Sequence, residues 1–158
     1  MAHITIEYVI LMPLLILQIF LLPFATAMIM GYWTRSSNNL ALQDAASELG
    51  SSVQQLYFSM SHASIPSGNV SSKLNIPVYI GNYAYTGNAT LLSPSGSNAA
   101  RVLSVTLKFN GLAGSATTSV ALGQNVQWQN SVFVSNSTTA CLNAYKYSNG
   151  TVLLYFGA

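Results

Sequence analysis

Acidic residues are nearly missing from this chain, and the few present sit in its first third. Glu7, Asp44 and Glu48 are the only side-chain carboxylates in 158 residues. Beyond Glu48 every charge is basic: Lys73, Arg101, Lys108 and Lys146. Charged residues make up 5% of the sequence, against roughly 25% in an average soluble domain. The hydrophobic fraction, 51%, is only modestly high, so Ser, Thr, Asn, Gln and Gly fill the deficit. A surface so poor in charge stays soluble by hydrogen bonding, by attached glycans or by being covered in an assembly. Acid unfolding works largely by protonating carboxylates that are ionised in the native state. A segment without carboxylates has little to lose that way, which predicts tolerance of an acidic exterior such as a thermoacidophile meets.

Other absences exclude function classes. Without carboxylates after Glu48, the C-terminal part has no acid for a catalytic triad or a carboxylate pair. His3 and His62 are far apart, and no Cys/His cluster has zinc spacing. Gly111-Leu112-Ala113-Gly114 does not make a phosphate loop. The expectation is a non-enzyme with no cofactor and no metal. A net charge of +2 without a Lys/Arg stripe predicts no nucleic-acid contact. The single cysteine, Cys141, excludes an internal disulfide framework. Its apolar-polar alternating surroundings suit a buried small hydrophobe, the alternative being an intermolecular bridge. No Lys or Arg precedes Arg35, so the basic start of a conventional cleaved signal peptide is missing.

What the chain does have is one long apolar run. Residues 4–30 are interrupted only by Thr5, Glu7, Gln18 and Thr26. As a helix this run spans about 40 Å, enough to cross a hydrocarbon core of ~30 Å. Pro13 and Pro23 lie inside it. Each removes a backbone hydrogen bond, tolerable in a membrane helix, and predicts a kink or a locally unwound stretch. Helical periodicity then continues. Leu42, Ala45, Ala46, Leu49, Val53, Leu56, Tyr57 and Met60 recur at the spacing of one helix face. Tyr32, Trp33, Tyr57 and Phe58 read as packing or interface aromatics. One helix of roughly 60 residues and about 90 Å is predicted, covering 1–62. Its part 4–30 is apolar all round, and its part 31–62 is amphipathic.

From Ile65 the character changes. Ser64-Ile65-Pro66-Ser67-Gly68-Asn69 is a breaker cluster. Seven β-favouring runs follow, at 77–85, 89–93, 101–109, 117–122, 126–134, 140–147 and 151–156. In 101–109, Leu103, Val105, Leu107 and Phe109 alternate with Ser104, Thr106 and Lys108, the period of a half-buried antiparallel strand. Ser148-Asn149-Gly150 reads as a tight hairpin turn. Tyr79, Tyr83 and Tyr85 suit either a core or contact with a surface or glycan. The predicted fold is α+β: a long N-terminal helix, then a small antiparallel, Ig-like β-sandwich over 65–158.

Glu7 is the residue most in need of explanation. A carboxylate in hydrocarbon costs several kcal/mol unless it is paired or protonated, so it marks a functional site by default. The segment His3, Ile4, Thr5, Ile6, Glu7, Tyr8 and Leu11 resembles the processing motif of archaeal type IV pilin precursors, which carry class III signal peptides. That motif has the form Gln-x-Ser-x-Glu-x-x-x-Leu. Glu7 and Leu11 match it, Thr5 is a conservative replacement, and His3 stands where glutamine is usual. Glu7-Tyr8 followed by Pro13 is also similar to TadE-like pseudopilins. The resemblance implies a pilin-like fold, with Glu7 pairing with the N-terminal amine of a neighbouring subunit to set register. It implies cleavage just before the motif, with His3 as the first mature residue. With Met1-Ala2 present, either Met1 is the mature start or the chain departs from that rule. It further implies a membrane-inserted precursor that leaves the membrane for a helical homopolymer at the cell surface. Its partners would be further copies, a prepilin peptidase, an assembly ATPase and a membrane platform, and its roles adhesion, cell aggregation or twitching. The alternatives are a membrane-anchored extracellular binding domain, an archaellin (whose usual start has Gly where Ile6 stands) and a minor pseudopilin. Four N-glycosylation sequons begin at Asn69, Asn88, Asn136 and Asn149, all beyond the helix.

Overall fold

The computed structural model describes residues 2–92 and 99–157, with side chains described from Val9 onward. A single helix, α1, runs from Ala2 to Ser61. Among the described residues eight strands follow: β1 Gly68–Lys73, β2 Tyr85–Leu92, β3 Arg101–Phe109, β4 Ser115–Leu122, β5 Val126–Trp128, β6 Val132–Val134, β7 Cys141–Lys146 and β8 Val152–Gly157. The class is α+β, as the switch of period from helix to strand predicts. Two compact units divide the chain, Met1–Ser37 and Asn38–Ala158, so the second half of α1 belongs with the strands.

The helix stays helical through Pro13 and Pro23, with no unwound stretch at either. It also stays helical through Ser36-Ser37-Asn38-Asn39, four residues of modest helix propensity. In the second unit the expected stripe is the buried one. Leu42, Ala45, Ala46, Leu49, Val53, Tyr57 and Met60 are buried, and Leu56 is partly so. Gly50 lets the helix come close to β4: a Cβ there would lie 2.9 Å from Val120 Cγ2 and 3.0 Å from Thr118 Cγ2.

The strands form two four-stranded sheets, ordered β1-β7-β8-β5 and β4-β3-β2-β6. Phe133 of β6 and Phe156 of β8 join them edge to face, ring centroids 4.8 Å apart. Both sheets and the helix stripe contribute to one core. In β3, Leu103, Val105, Leu107 and Phe109 are buried and their neighbours are not, as the alternation predicts. The hairpin at 148–150 is present: the Tyr147 N–H donates to Thr151 O at 2.9 Å and the Gly150 N–H to Tyr147 O at 3.0 Å.

Four expectations are corrected. The expected strand 77–85 is not one, apart from Tyr85, which begins β2; Gly81 takes φ 59°, and only an isolated bridge joins Ile80 to Tyr83. The run 126–134 is two short strands in different sheets, because Gln129-Asn130-Ser131 carries the chain from one to the other. β5 pairs with β8 in parallel, whereas the other described pairings are antiparallel. β1 forms inside the breaker cluster and beyond it, held by six paired positions along β7.

Candidate functional site

The apolar half of α1 offers no face to a core of its own unit. Leu14, Leu15, Ile16 and Leu17 are each more than half exposed. Four consecutive residues go once round a helix of 3.6 residues per turn, so the surface is apolar in every direction. Phe20 at 73% and Trp33 at 77% mark how open it is. The polar hydroxyls inside it turn back on the helix: Thr26 Oγ1 donates to Leu22 O at 2.6 Å and Thr34 Oγ1 to Met30 O at 2.9 Å. Around Pro13, the side chains of Met12, Ile16, Phe20 and Phe24 line a shallow groove. By length and composition the helix is long and apolar enough to cross a membrane. Burying each large side chain is worth about 1.5–3 kcal/mol, so such a surface favours a cover that takes it out of water.

His3, Thr5, Glu7 and Tyr8 lie on the helical backbone of α1, but their side chains fall outside the described residues. Leu11 is about half exposed.

The second unit carries a cleft of about 700 Å³. Leu74, Ile76 and Phe133 contribute apolar surface, and Glu48, Lys73, Asn75, Ser137 and Thr138 contribute polar groups. The Asn75 amide donates to Glu48 Oε1 at 2.9 Å, joining helix to loop. Behind it Tyr85 is fully buried. Its hydroxyl donates to Pro77 O, its N–H donates to Ser135 Oγ at 3.0 Å, and Ser135 Oγ donates to Val78 O at 2.7 Å. Burial, helped by the charge of Glu48, pushes the Tyr85 phenol up to about 12. Among the exposed tyrosines are Tyr79 and Tyr83, so only Tyr85 of that trio is core. The cleft offers hydrogen bonds above an apolar floor, with one carboxylate already held by an amide.

Sequence reasoning missed Lys146. It is 7% exposed, and its Nζ donates to His62 O at 2.8 Å and Ile65 O at 2.9 Å, just past the end of α1. A cation there gives these carbonyls a charged donor and faces the negative end of the helix dipole. The signal was available: Leu142, Ala144 and Lys146 share the inward phase of β7. A second tie is Tyr57, whose hydroxyl donates to Asn125 Oδ1, while Asn125 Nδ2 donates to Gly150 O at 2.7 Å. Burial also pushes the Tyr57 phenol up.

The four sequon asparagines are all exposed and are not brought together. Asn69 is on β1, Asn88 on β2, and Asn136 beside the cleft. Asn149 Oδ1 accepts the Thr151 N–H at 3.0 Å within the hairpin turn. Cys141 is half-buried rather than buried, its sulfur 3.5 Å from Asn143 Nδ2. Comparison with protein-family models, with curated proteins and with solved structures finds no match to this chain.

Proposed function

We propose that this chain is the major structural subunit of an extracellular filament of the archaeal type IV pilus kind. One observation carries the reading: α1 is a single helix whose first half is apolar and exposed in every direction and whose second half is anchored by a buried stripe in a β unit. In the filament, the apolar halves of many copies bundle into a core and the β units form the wall. Repetition of one head-to-tail contact without closure yields an open helical polymer. The membrane holds the apolar half before assembly. Glu7 pairs with the N-terminal amine of the neighbouring copy, cancelling a charge that hydrocarbon disfavours. A prepilin peptidase, an assembly ATPase and a membrane platform serve the process. Adhesion, cell aggregation or twitching is the use, and strands that carry no side-chain carboxylate suit acidic surroundings.

Electron microscopy of filaments sheared from the cell surface, with mass spectrometry of their subunit, tests the proposal. Filaments built mainly of this chain are expected, and Glu7→Gln is expected to abolish or sharply reduce them. Absence of the chain from sheared material would refute the reading. The cleft beside Glu48 favours a second reading, a membrane-anchored binding domain. That reading needs the chain to remain a monomer in the membrane fraction, and the same fractionation separates the two.

A further inference from the structure

One cross-strand row on the outer face of the first sheet joins a sequon to a pair of aromatic rings. β1 is the edge strand of that sheet. Its Asn69 stands directly opposite Tyr145 of β7. Directly opposed residues of an antiparallel pair project on the same face, with Cβ atoms about 4.5–5.5 Å apart. At this row the face is open: Leu142, Ala144 and Lys146 are buried on the other side, whereas Tyr145 is 39% exposed, and the face closes only further along, at the buried Asn143. The Tyr147 ring lies edge-on to the Tyr145 ring with centroids 4.8 Å apart, and it is equally exposed. These two rings therefore form an uncovered aromatic shelf beside Asn69. Of the sequons, Asn69 alone is seen cross-strand paired with an exposed aromatic among the described residues. Asn88 is paired with Thr106 and Val132, Asn149 Oδ1 is engaged within the hairpin turn, and the aromatic ring in the cleft near Asn136, Phe133, is fully buried.

We propose that Asn69 carries an N-linked glycan whose first sugar lies on the Tyr145–Tyr147 shelf and covers the edge of β1. The sequon Asn69-Val70-Ser71 supplies the acceptor. In the transfer, Asn69 Nδ2 forms a bond to C1 of a lipid-phosphate-linked oligosaccharide while the bond from C1 to the phosphate oxygen breaks. The amide proton passes to a base of the transferring enzyme, and the lipid phosphate leaves. A pyranose presents one face of C–H groups, which complements the electron-rich face of an aromatic ring, and keeps its hydroxyls in water. The position also answers a structural liability. Five of the six β1 residues are exposed, and Lys73 is the one charge the strand holds. Bare edges recruit strands from other chains, and a bulky sugar at Asn69 blocks that addition where subunits are crowded. The inference rests on the β unit being external, as the proposed function has it.

The test uses the protein purified from its own cells. Mass spectrometry of its peptides is expected to find sugar mass on the peptide containing Asn69, and Ser71→Ala is expected to remove it. Tyr145→Ser removes the Tyr145–Tyr147 contact in either background, and is expected to lower the melting temperature of the glycosylated protein by about 2–4 °C more than that of the Ser71→Ala protein. An unmodified Asn69, or an equal shift in both backgrounds, overturns the inference. Neither readout needs filaments. Sugar on Asn69 of a chain that forms none keeps this inference and removes the filament reading, and filaments of subunits unmodified at Asn69 do the reverse.

Discussion

Replacing Lys146 by methionine tests how α1 is fastened to the β unit. The ammonium makes two hydrogen bonds to carbonyls, from Nζ to His62 O and to Ile65 O. Bonds to a charged group are worth about 1.5–3 kcal/mol each. Methionine keeps most of the stem volume, so little of the effect comes from a cavity. Two terms reduce the loss. Burying an ammonium costs several kcal/mol that the variant no longer incurs, and His62 O keeps a second donor, the Ile65 N–H at 3.1 Å. Ile65 O loses its donor, at about 1–3 kcal/mol. The net expectation is a destabilisation of ~2–3 kcal/mol, equivalent to a melting temperature lower by roughly 10 °C. Thermal unfolding of the full chain in detergent micelles, followed by near-ultraviolet circular dichroism, measures the total. Hydrogen exchange localises it: amides in the last turn of α1 are expected to lose protection before those of β3. A variant within about 0.5 kcal/mol of the parent, with that turn still protected, would refute the reasoning.

Gly87→Ala drives a Cβ into Phe133 and Leu107, both fully buried. A loss of about 1–3 kcal/mol, the range for overpacking, is expected in denaturant titration, and a neutral result would mean that β2 can shift. Raising the pH is expected to destabilise the fold. The folded state holds the Tyr85 proton up to about 12 instead of the ordinary 10.0, so stability is complete below pH 10 and falls as the pH climbs toward 12. The two-unit difference, discounted for solvent screening, amounts to about 1–2 kcal/mol, and Tyr85→Phe should remove that portion of the pH slope. Toward acid the β unit has few carboxylates to protonate, so unfolding free energies at pH 2 and pH 7 are expected to agree within about 1 kcal/mol. Phe20→Lys puts a charge on the exposed apolar helix and is expected to abolish filaments in the shear assay without changing the unfolding of the β unit.

Local pattern made much of this fold legible. The spacing of Leu42 to Met60 shows the buried stripe because a helix repeats its face every three to four residues. The alternation in β3 shows its inner side for the same kind of reason, and Gly150 at φ 82° is the turn residue that Ser148-Asn149-Gly150 advertises. What was not legible depends on partners distant in sequence. Gly68 to Lys73 has no hydrophobic alternation, because an edge strand with five exposed residues needs none, and only β7 makes it a strand. The parallel pairing of β5 with β8 is set by where Ser131 turns the chain: its Oγ donates to Gln129 O at 2.9 Å and accepts the Phe156 N–H at 2.8 Å. The cleft escaped notice for the same reason, since Glu48, Lys73 and Ser137 meet only once both sheets have formed. Lys146 was legible in phase, but the carbonyls it serves, on His62 and Ile65, are distant in sequence.

The place of β8 has a consequence for timing. It lies between β7 and β5, and β1 pairs with a strand some seventy positions further along the chain. The first sheet therefore has no interior until residues 152–157 have left the ribosome. If, as proposed, the apolar half of α1 is held in a membrane during synthesis, the rest of the chain would still be an unclosed thread that a translocation channel can pass. Closing β8 and seating Lys146 against the end of α1 would then complete the unit together.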